Sequence, residues 1–455
     1  MKLISFSGVD LNGYLGINLK FDDTLTFLTG INGTGKTTAL NSIAALLMPR
    51  LDYLASQEYS ELSLTIEHNG EKVVFKAFQE FGEIVLTCSK FPDENISYSR
   101  YDAQDEDIPH YKAREREDAY YNSILQDNTH RGIIGYLQEL PTPMFLGLDR
   151  RTRTFDPDGY IALRHARRRP SRRNIFGNSL SVSLTEALAF AAEHQSRNRR
   201  RKFVLDRKFR DNLVLELLSM PPAGIRAYRE ESASLNWRDL QAAKKNIYKI
   251  PELLGLPREE VISRIGDFFE FIEGRLQAAR SEVSKRNDEG ILGDPSWEAR
   301  VDLAQNKSNI DKINKLSSMV SEYTSESERI DSSITDFLDL ANSFLRDSGK
   351  ELEFDESGEL VFSAGDGQSR EITALSSGEI QIIVILAHLY FNPETKRANV
   401  FIIDEPELSL HVQWQQKFVE SLLKASGSTQ FLMATHSPTV IIGRVKKCID
   451  LSPKK

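Results

Sequence analysis

The chain has 455 residues, 40% of them apolar, a net charge of −8 and two cysteines, Cys88 and Cys448, far apart in sequence. That is enough chain for two or three compact units with a sizeable core, and it argues against a disulfide framework or a zinc site. No run of 18 apolar residues occurs and the opening MKLISFSGVDLNG turns polar too early for a signal peptide, so a soluble cytosolic protein is expected.

Residues 2–8 and 15–29 read as strands that end in FLTG, and from Thr37 the stretch TTALNSIAALL has helical apolar spacing. The local order is therefore strand, Gly-rich turn, helix. ELSLTIEH (61–68) and EKVVFKAF (71–78) alternate on either side of Asn69-Gly70 and read as a hairpin, to which GEIVLTCSK (82–90) adds a third strand. The acidic, tyrosine-rich stretch 92–122 shows no period and reads as a mobile loop. PMFLGLDRR (143–151) reads as a short buried strand delivering a charged tip.

Residues 150–210 then carry 17 Lys and Arg against 5 Asp and Glu, an excess of 12 positive charges that leaves −20 for the rest of the chain. The two densest clusters, ARRRPSRRN (166–174) and RNRRRK (197–202), flank a helix-like SLTEALAFAAEHQ. Beyond residue 258 a heptad runs through Ile313, Leu316, Val320, Tyr323, Ser327, Ile330, Ile334, Phe337, Ala341 and Phe344. An upstream helix with Val261, Ile265, Phe268, Phe269 and Ile272 is placed to pack against it, with NDEGILGDP (287–295) as the break. Roughly 33 helical residues at about 1.5 Å each make a short antiparallel arm, of order 50 Å. A plain helical subdomain covering the head fits the same pattern. The expected domains are 1–150 and 348–455, which together form one α/β head, a basic helical insertion at 151–257 and a helical arm at 258–347.

Gly30-x-x-x-x-Gly35-Lys36-Thr37 fits a phosphate-binding loop. Its glycines let successive backbone N–H groups turn toward phosphates, Lys36 neutralises phosphate oxygens and the Thr37 hydroxyl ligates Mg²⁺, while the following helix presents its positive end. The expected nucleotide contacts are Asn32, Gly33, Thr34, Gly35, Lys36, Thr37 and Thr38. In NVFIIDEPELSLH (399–411) a buried strand ends on Asp404, placed for the Mg²⁺ shell, and Glu405, placed to orient or deprotonate the attacking water. Asp404 follows Lys36 by 368 residues, so something large is inserted between the halves of the site.

Leu375-Ser376-Ser377-Gly378-Glu379 stands at a helix start before the acidic strand, and FLMATHSP (431–438) puts His436 at another strand tip after it. In this order the four motifs resemble those of ABC-type ATPases, in the branch related to the Rad50, SMC and RecF proteins. The resemblance covers about 1–150 and 355–455, and the DEPELSLH form looks like the compact prokaryotic ATPases grouped as AAA15 or AAA21. It implies that two heads sandwich two ATP molecules, with Ser376, Ser377 and Gly378 reaching the γ-phosphate from across the dimer and His436 sensing it. Two positions depart from the pattern. The signature reads LSSGE instead of LSGGQ, and the glutamine-loop residue has two candidates, Gln138 and the tip Asp149-Arg150.

Among other marked residues, His388 in ILAHLY reads as interior, Trp414 as core, and His411 as either packing or sensing near a dimer interface. The arginines Arg167–Arg173 and Arg197–Lys202 suit DNA or RNA phosphates, or docking onto an acidic protein surface. No appended nuclease domain is expected beyond the switch histidine, and no membrane association. The chain is similar to the ATPases of anti-phage systems such as PARIS, Septu and certain retrons. That likeness implies a homodimeric or larger switch, triggered by a phage-encoded factor, that controls a separately encoded effector nuclease. The alternative is a RecF- or SMC-like repair ATPase acting on DNA directly.

Overall fold

The computed structural model describes residues 1–102, 110–146, 152–153, 178–218, 237–281 and 295–452. The tip Asp149-Arg150 and the cluster Arg167–Arg173 lie outside them. Two compact units are present, one of residues 1–195 and 334–455 and one of residues 196–333.

In chain order the first unit opens with β1 (Lys2–Leu11), β2 (Leu15–Lys20) and β3 (Leu25–Thr29), then α1 (Lys36–Leu47) and α2 (Leu51–Ser56). Next come β4 (Glu61–His68), β5 (Glu71–Glu80), β6 (Glu83–Cys88) and β7 (Asn95–Ser99), followed by α3 (His110–Asp127), α4 (Gly132–Glu139), β8 (Met144–Leu146) and β9 (Thr152–Arg153). An antiparallel sheet has the order β2-β1-β4-β5-β6-β7. Its β4–β5 hairpin turns on Asn69 and Gly70, both at positive φ (54° and 81°), as a two-residue primed turn requires.

The stretch 92–122 is not one loop. Ile96 and Tyr98 alternate inward to pair β7 onto β6, and α3 starts at His110. Five residues of alternation, and a helix in which Tyr121 is the buried residue among the described side chains, give too weak a period to stand out in the sequence.

The second unit takes the end of α5 (Asn178–Leu218), then α6 (Trp237–Ile247), α7 (Ile250–Leu254), α8 (Arg258–Ser281), α9 (Pro295–Gln305) and most of α10 (Lys307–Leu345). All ten heptad positions of α10 are buried or half-buried. Phe269 and Ile272 of α8 pack with Ile310, Ile313 and Leu316, while Val320 packs with Phe209 and Leu213 of α5. Within this unit the stripe thus meets more than one partner helix, α8 at one level and α5 at another.

The chain returns to the first unit through β10 (Lys350–Phe354), β11 (Leu360–Ala364) and β12 (Ser369–Glu371), which form a small antiparallel sheet. It ends with α11 (Ser377–Phe391), α12 (Pro393–Ala398), β13 (Val400–Asp404), α13 (Val412–Ala425), β14 (Gln430–Ala434), α14 (Pro438–Ile441) and β15 (Cys448–Asp450). The central sheet runs β15-β3-β14-β13-β8-β9, parallel except for β9.

Strand period 2 explains why this sheet is apolar throughout. Val400, Ile402, Leu432, Ala434, Leu28 and Phe145 point into one core, shared with α1 and the antiparallel sheet. Phe401, Ile403, Phe431, Met433, Phe27 and Leu146 point into the other, with α11, α13 and the end of α10. Strands from both ends of the chain therefore close one core. Buried Gln430 fixes the junction: its Oε1 accepts from Leu3 N (2.7 Å) and its Nε2 donates to Leu3 O (2.8 Å) and Asp22 O (2.9 Å).

Candidate nucleotide site

Gly30, Gly33 and Gly35 all have positive φ (142°, 85° and 87°), which lets the chain turn tightly between β3 and α1. A Cβ on Gly30 would sit 2.8 Å from Thr34 Oγ1, so the turn closes around a glycine there. Lys36, 5% exposed at the start of α1, donates from Nζ to the carbonyls of Gly30 (3.0 Å) and Ile31 (3.2 Å). Burial pulls its pKa down, and the nearby Glu405, Asp404 and Glu407 only partly offset that.

Two strands away, Asp404 ends β13 at 4% exposure. The Thr37 hydroxyl donates to its Oδ1 (3.3 Å), while Oδ2 is buried without a hydrogen-bond partner. Burial raises the carboxyl to about 6, with Glu405 adding to the rise and Thr37 and Lys36 opposing it. An anionic oxygen buried without a partner is costly, so this pair fits a cation held between the Thr37 hydroxyl and the Asp404 carboxylate.

Glu405 has φ 49° and ψ 62°, a left-handed conformation that costs a non-glycine residue on the order of 1–3 kcal/mol. Its amide donates to Ala434 O (2.9 Å), and its carboxylate lies 3.2 Å from His436 Nε2. The expected water-activating and sensing residues thus face each other. Lys36, Thr37, Asp404, Glu405 and His436 are brought together at the carboxyl ends of β3, β13 and β14, although they come from opposite ends of the sequence.

Ser376 is the N-cap of α11: its carbonyl accepts from Ile380 N (2.9 Å), and its amide and hydroxyl bond within a capping box. Its N and Oγ both donate to Glu379 Oε2 (2.7 Å each). Ser377 and Gly378 form the first turn. Glu379, 3% exposed, also takes Lys350 Nζ on both oxygens (2.8 Å) and Ser348 Oγ (2.9 Å). The LSSGE departure therefore has a physical account, because a carboxylate at this position is buried with a cation supplied by β10.

Burial alone would raise the Glu379 carboxyl, but Lys350, Ser376 and Ser348 together hold it below its ordinary value. Its pairing stabilises the fold at neutral pH, and that contribution fades as pH falls through the lowered pKa. Lys350→Met is expected to cost about 3–5 kcal/mol of head stability at pH 7.5, since it leaves the charge buried and unpaired. The loss should shrink toward acid pH as the carboxyl protonates, which urea unfolding at several pH values will show.

Gln138 is exposed on α4, away from the buried face of that helix. His388 is fully buried, bonded through Nδ1 to Asn392 (3.0 Å), and burial lowers it to about 3, so it is a neutral interior residue. Trp414 packs edge-on against Phe344 in the core, as the sequence suggests. His411 caps α13 and accepts at Nδ1 from Gln413 N (3.4 Å). Cys88 is buried and Cys448 only partly so. Sequence reasoning passed over Glu407, Gln415 and Lys350, which have no motif of their own; the charged Glu407 inside DEPELSLH was the available signal.

A Gly-rich turn between strand and helix, with Asp404 and Glu405 on a nearby parallel strand, defines an α/β phosphate-loop ATPase head assembled from both chain ends. Residues 183–442, more than half of the chain, match the family described as "AAA domain, putative AbiEii toxin, Type IV TA system", and the chain belongs to that family. It is also similar to the "Retron Vc95 probable ATPase" of Vibrio cholerae, 35% identical over 81 residues, which are 18% of this chain and 15% of that protein. A second relative, the "Retron Ec83 probable ATPase" of Escherichia coli, is 33% identical over 81 residues, 16% of this chain and 15% of that protein. The matched stretch thus spans 15% of the length of either relative. A solved structure of the Smc head domain with an extended coiled coil bound to the C-terminal domain of ScpA, from Pyrococcus furiosus, matches over 97% of this chain and 91% of that one at 13% identity and a TM-score of 0.36. Among the described residues, no helix is long and apolar enough to cross a membrane.

Proposed function

We propose that this chain is a Mg²⁺-dependent ATPase whose heads pair around ATP, and that it is the cytoplasmic switch of a prokaryotic anti-phage defence system. In this reading it responds to a phage-encoded trigger and controls a separately encoded toxic nuclease. The observation that carries the ATPase part is the meeting of Thr37 with Asp404 (3.3 Å) and of Glu405 with His436 (3.2 Å) beside the phosphate loop. The similarity to retron ATPases and the toxin-related family support the defence part.

The loop amides from Asn32 to Thr38 would bind the phosphates, and Lys36 would neutralise them. Mg²⁺, when bound, would be held by Thr37 and Asp404 and would offset phosphate charge. Glu405 would take the proton of the attacking water, with His436 fixing the carboxylate's direction. Ser376 caps α11 and Ser377 and Gly378 open its first turn, where backbone amides have no partner within the helix and would serve the site of a second head. Ile31, Leu408 and Val412, exposed apolar side chains next to the site residues, support such a face. ATP would then favour the closed pair only through contacts that the open state lacks.

The domain assignment is part of the same proposal: a head of 1–150 and 348–455, a basic insertion at 151–257 and an arm at 258–347. Arg197, Arg199, Arg200 and Arg201 are exposed on α5, which favours contact with DNA or RNA, or an acidic partner, as a further part of the proposal. A RecF- or SMC-like repair role would use the same surface on DNA.

The test is co-expression of the tagged protein with its neighbouring gene products, in wild-type and Lys36→Ala forms. A partner that co-purifies with one nucleotide state and not the other, together with phage protection lost in the variant, is the expected outcome. Purified protein that cleaves nucleic acid by itself, undiminished by Lys36→Ala, would contradict it.

A further inference from the structure

We infer that Glu407 is a positioning residue: it holds the loop that carries His436 in register with Glu405. The inference rests on the hydrolysis reading above and concerns how one contact of that site is kept in place.

The sheet explains why such a residue is needed. Along β14 the backbone amides are satisfied by neighbouring strands up to Thr435 N, which donates to Leu28 O (3.1 Å). Beyond that the ladder ends and the chain turns away. The next two amides both donate to a single oxygen, Glu407 Oε1, from His436 N (2.6 Å) and Ser437 N (3.0 Å). The Thr435 hydroxyl donates to the same oxygen (2.7 Å). Three donors converging on one carboxylate oxygen at these distances are charge-assisted bonds, stronger than neutral ones.

Glu407 itself is fixed from the other side. It lies in the short turn Pro406–Ser409 directly after Glu405, and Leu410 N donates to its carbonyl (3.1 Å). Gln415 of α13 adds a second tie: its Nε2 donates to Leu410 O (3.0 Å), and its Oε1 accepts from Ser437 Oγ (2.7 Å). The loop after β13 and the loop after β14 are thus clamped together, and the 3.2 Å contact between Glu405 and His436 spans the clamped pair. Releasing Glu407 would free the backbone of His436 itself, while the phosphate loop around Lys36 keeps its own bonds to Gly30 and Ile31.

The distinguishing measurement is steady-state ATP hydrolysis by the full chain in wild-type, Glu407→Ala, Glu407→Gln, His436→Ala and double Glu407→Ala/His436→Ala forms. Glu407→Ala is expected to lower kcat about 10- to 100-fold with KM for ATP changed less than about threefold, as loss of a group that aligns a catalytic contact does. Glu407→Gln keeps an acceptor oxygen and should recover most of the rate. Because Glu407 acts through His436, the double variant should be no slower than His436→Ala alone, a non-additivity that general loosening of the fold would not produce. If Glu407→Ala does not fold, Thr435→Val, which removes one of the three donors, takes its place with a smaller loss and the same non-additivity.

A wild-type protein without ATPase activity, or a Lys36→Ala form with full activity, overturns the hydrolysis reading and this inference with it. Wild-type activity lost in Lys36→Ala but unchanged in Glu407→Ala, or effects of Glu407 and His436 that multiply, overturns this inference alone.

Discussion

Glu405→Gln is expected to lower kcat for ATP hydrolysis by about 10²- to 10⁴-fold, the usual contribution of a positioned general base. The amide keeps the size and the left-handed backbone of Glu405 but cannot take a proton from water. Binding should persist, because Lys36, Thr37 and Asp404 are untouched and none depends on Glu405 for a hydrogen bond. The variant should therefore accumulate in its ATP-bound form, with the heads paired and the partner held as in the ATP state. Turnover measured beside equilibrium binding of a fluorescent ATP analogue separates these outcomes. Equal losses of both would mean that Glu405 serves binding and not the chemical step.

Most of the head was legible in the sequence because its determinants are local. The hairpin is written in Asn69-Gly70, the phosphate loop in its glycines, and β13 and β14 in short apolar runs ending on charged or hydroxyl residues. The convergence of Lys36, Asp404 and His436 was legible only through motif order, since 368 residues separate the first two. What the sequence hid is non-local or weakly periodic. β7 rests on two inward side chains, and α3 is polar nearly throughout. Packing of α5 against Val320 is a contact between helices more than 100 residues apart: the heptad marks Val320 as inward-facing, but nothing in it names Phe209 and Leu213 as its partners. Lys350, Glu379 and Glu407 matter through single buried ion pairs and hydrogen bonds, which leave no periodic trace.

Ser376→Arg is the second change with a large expected effect. In one head the Ser376 hydroxyl bonds only with Glu379 of its capping box, so its loss there removes a cap worth about 1 kcal/mol, while Lys350 continues to neutralise Glu379. The phosphate loop of the same chain is unaltered and should bind ATP normally. If the hydroxyl completes the site of the opposite head, hydrolysis should nonetheless fall to background, since a bulky cation would stand where a γ-phosphate contact is needed. A variant with normal nucleotide affinity and no turnover would thus carry its defect in its neighbour's site.

Mixing purified Lys36→Ala and Ser376→Arg proteins tests the paired-head account most directly. Each alone should be inactive, one lacking its own phosphate contact and the other its gift to the partner. In a random two-fold mixture half of the dimers combine one of each and hold a single intact site, so about a quarter of the wild-type rate should return. Recovery that rises with total protein concentration is the predicted result. Two inactive proteins that remain inactive together at concentrations where wild-type turns over, or a Ser376→Arg protein that hydrolyses ATP at the wild-type rate alone, would contradict the account.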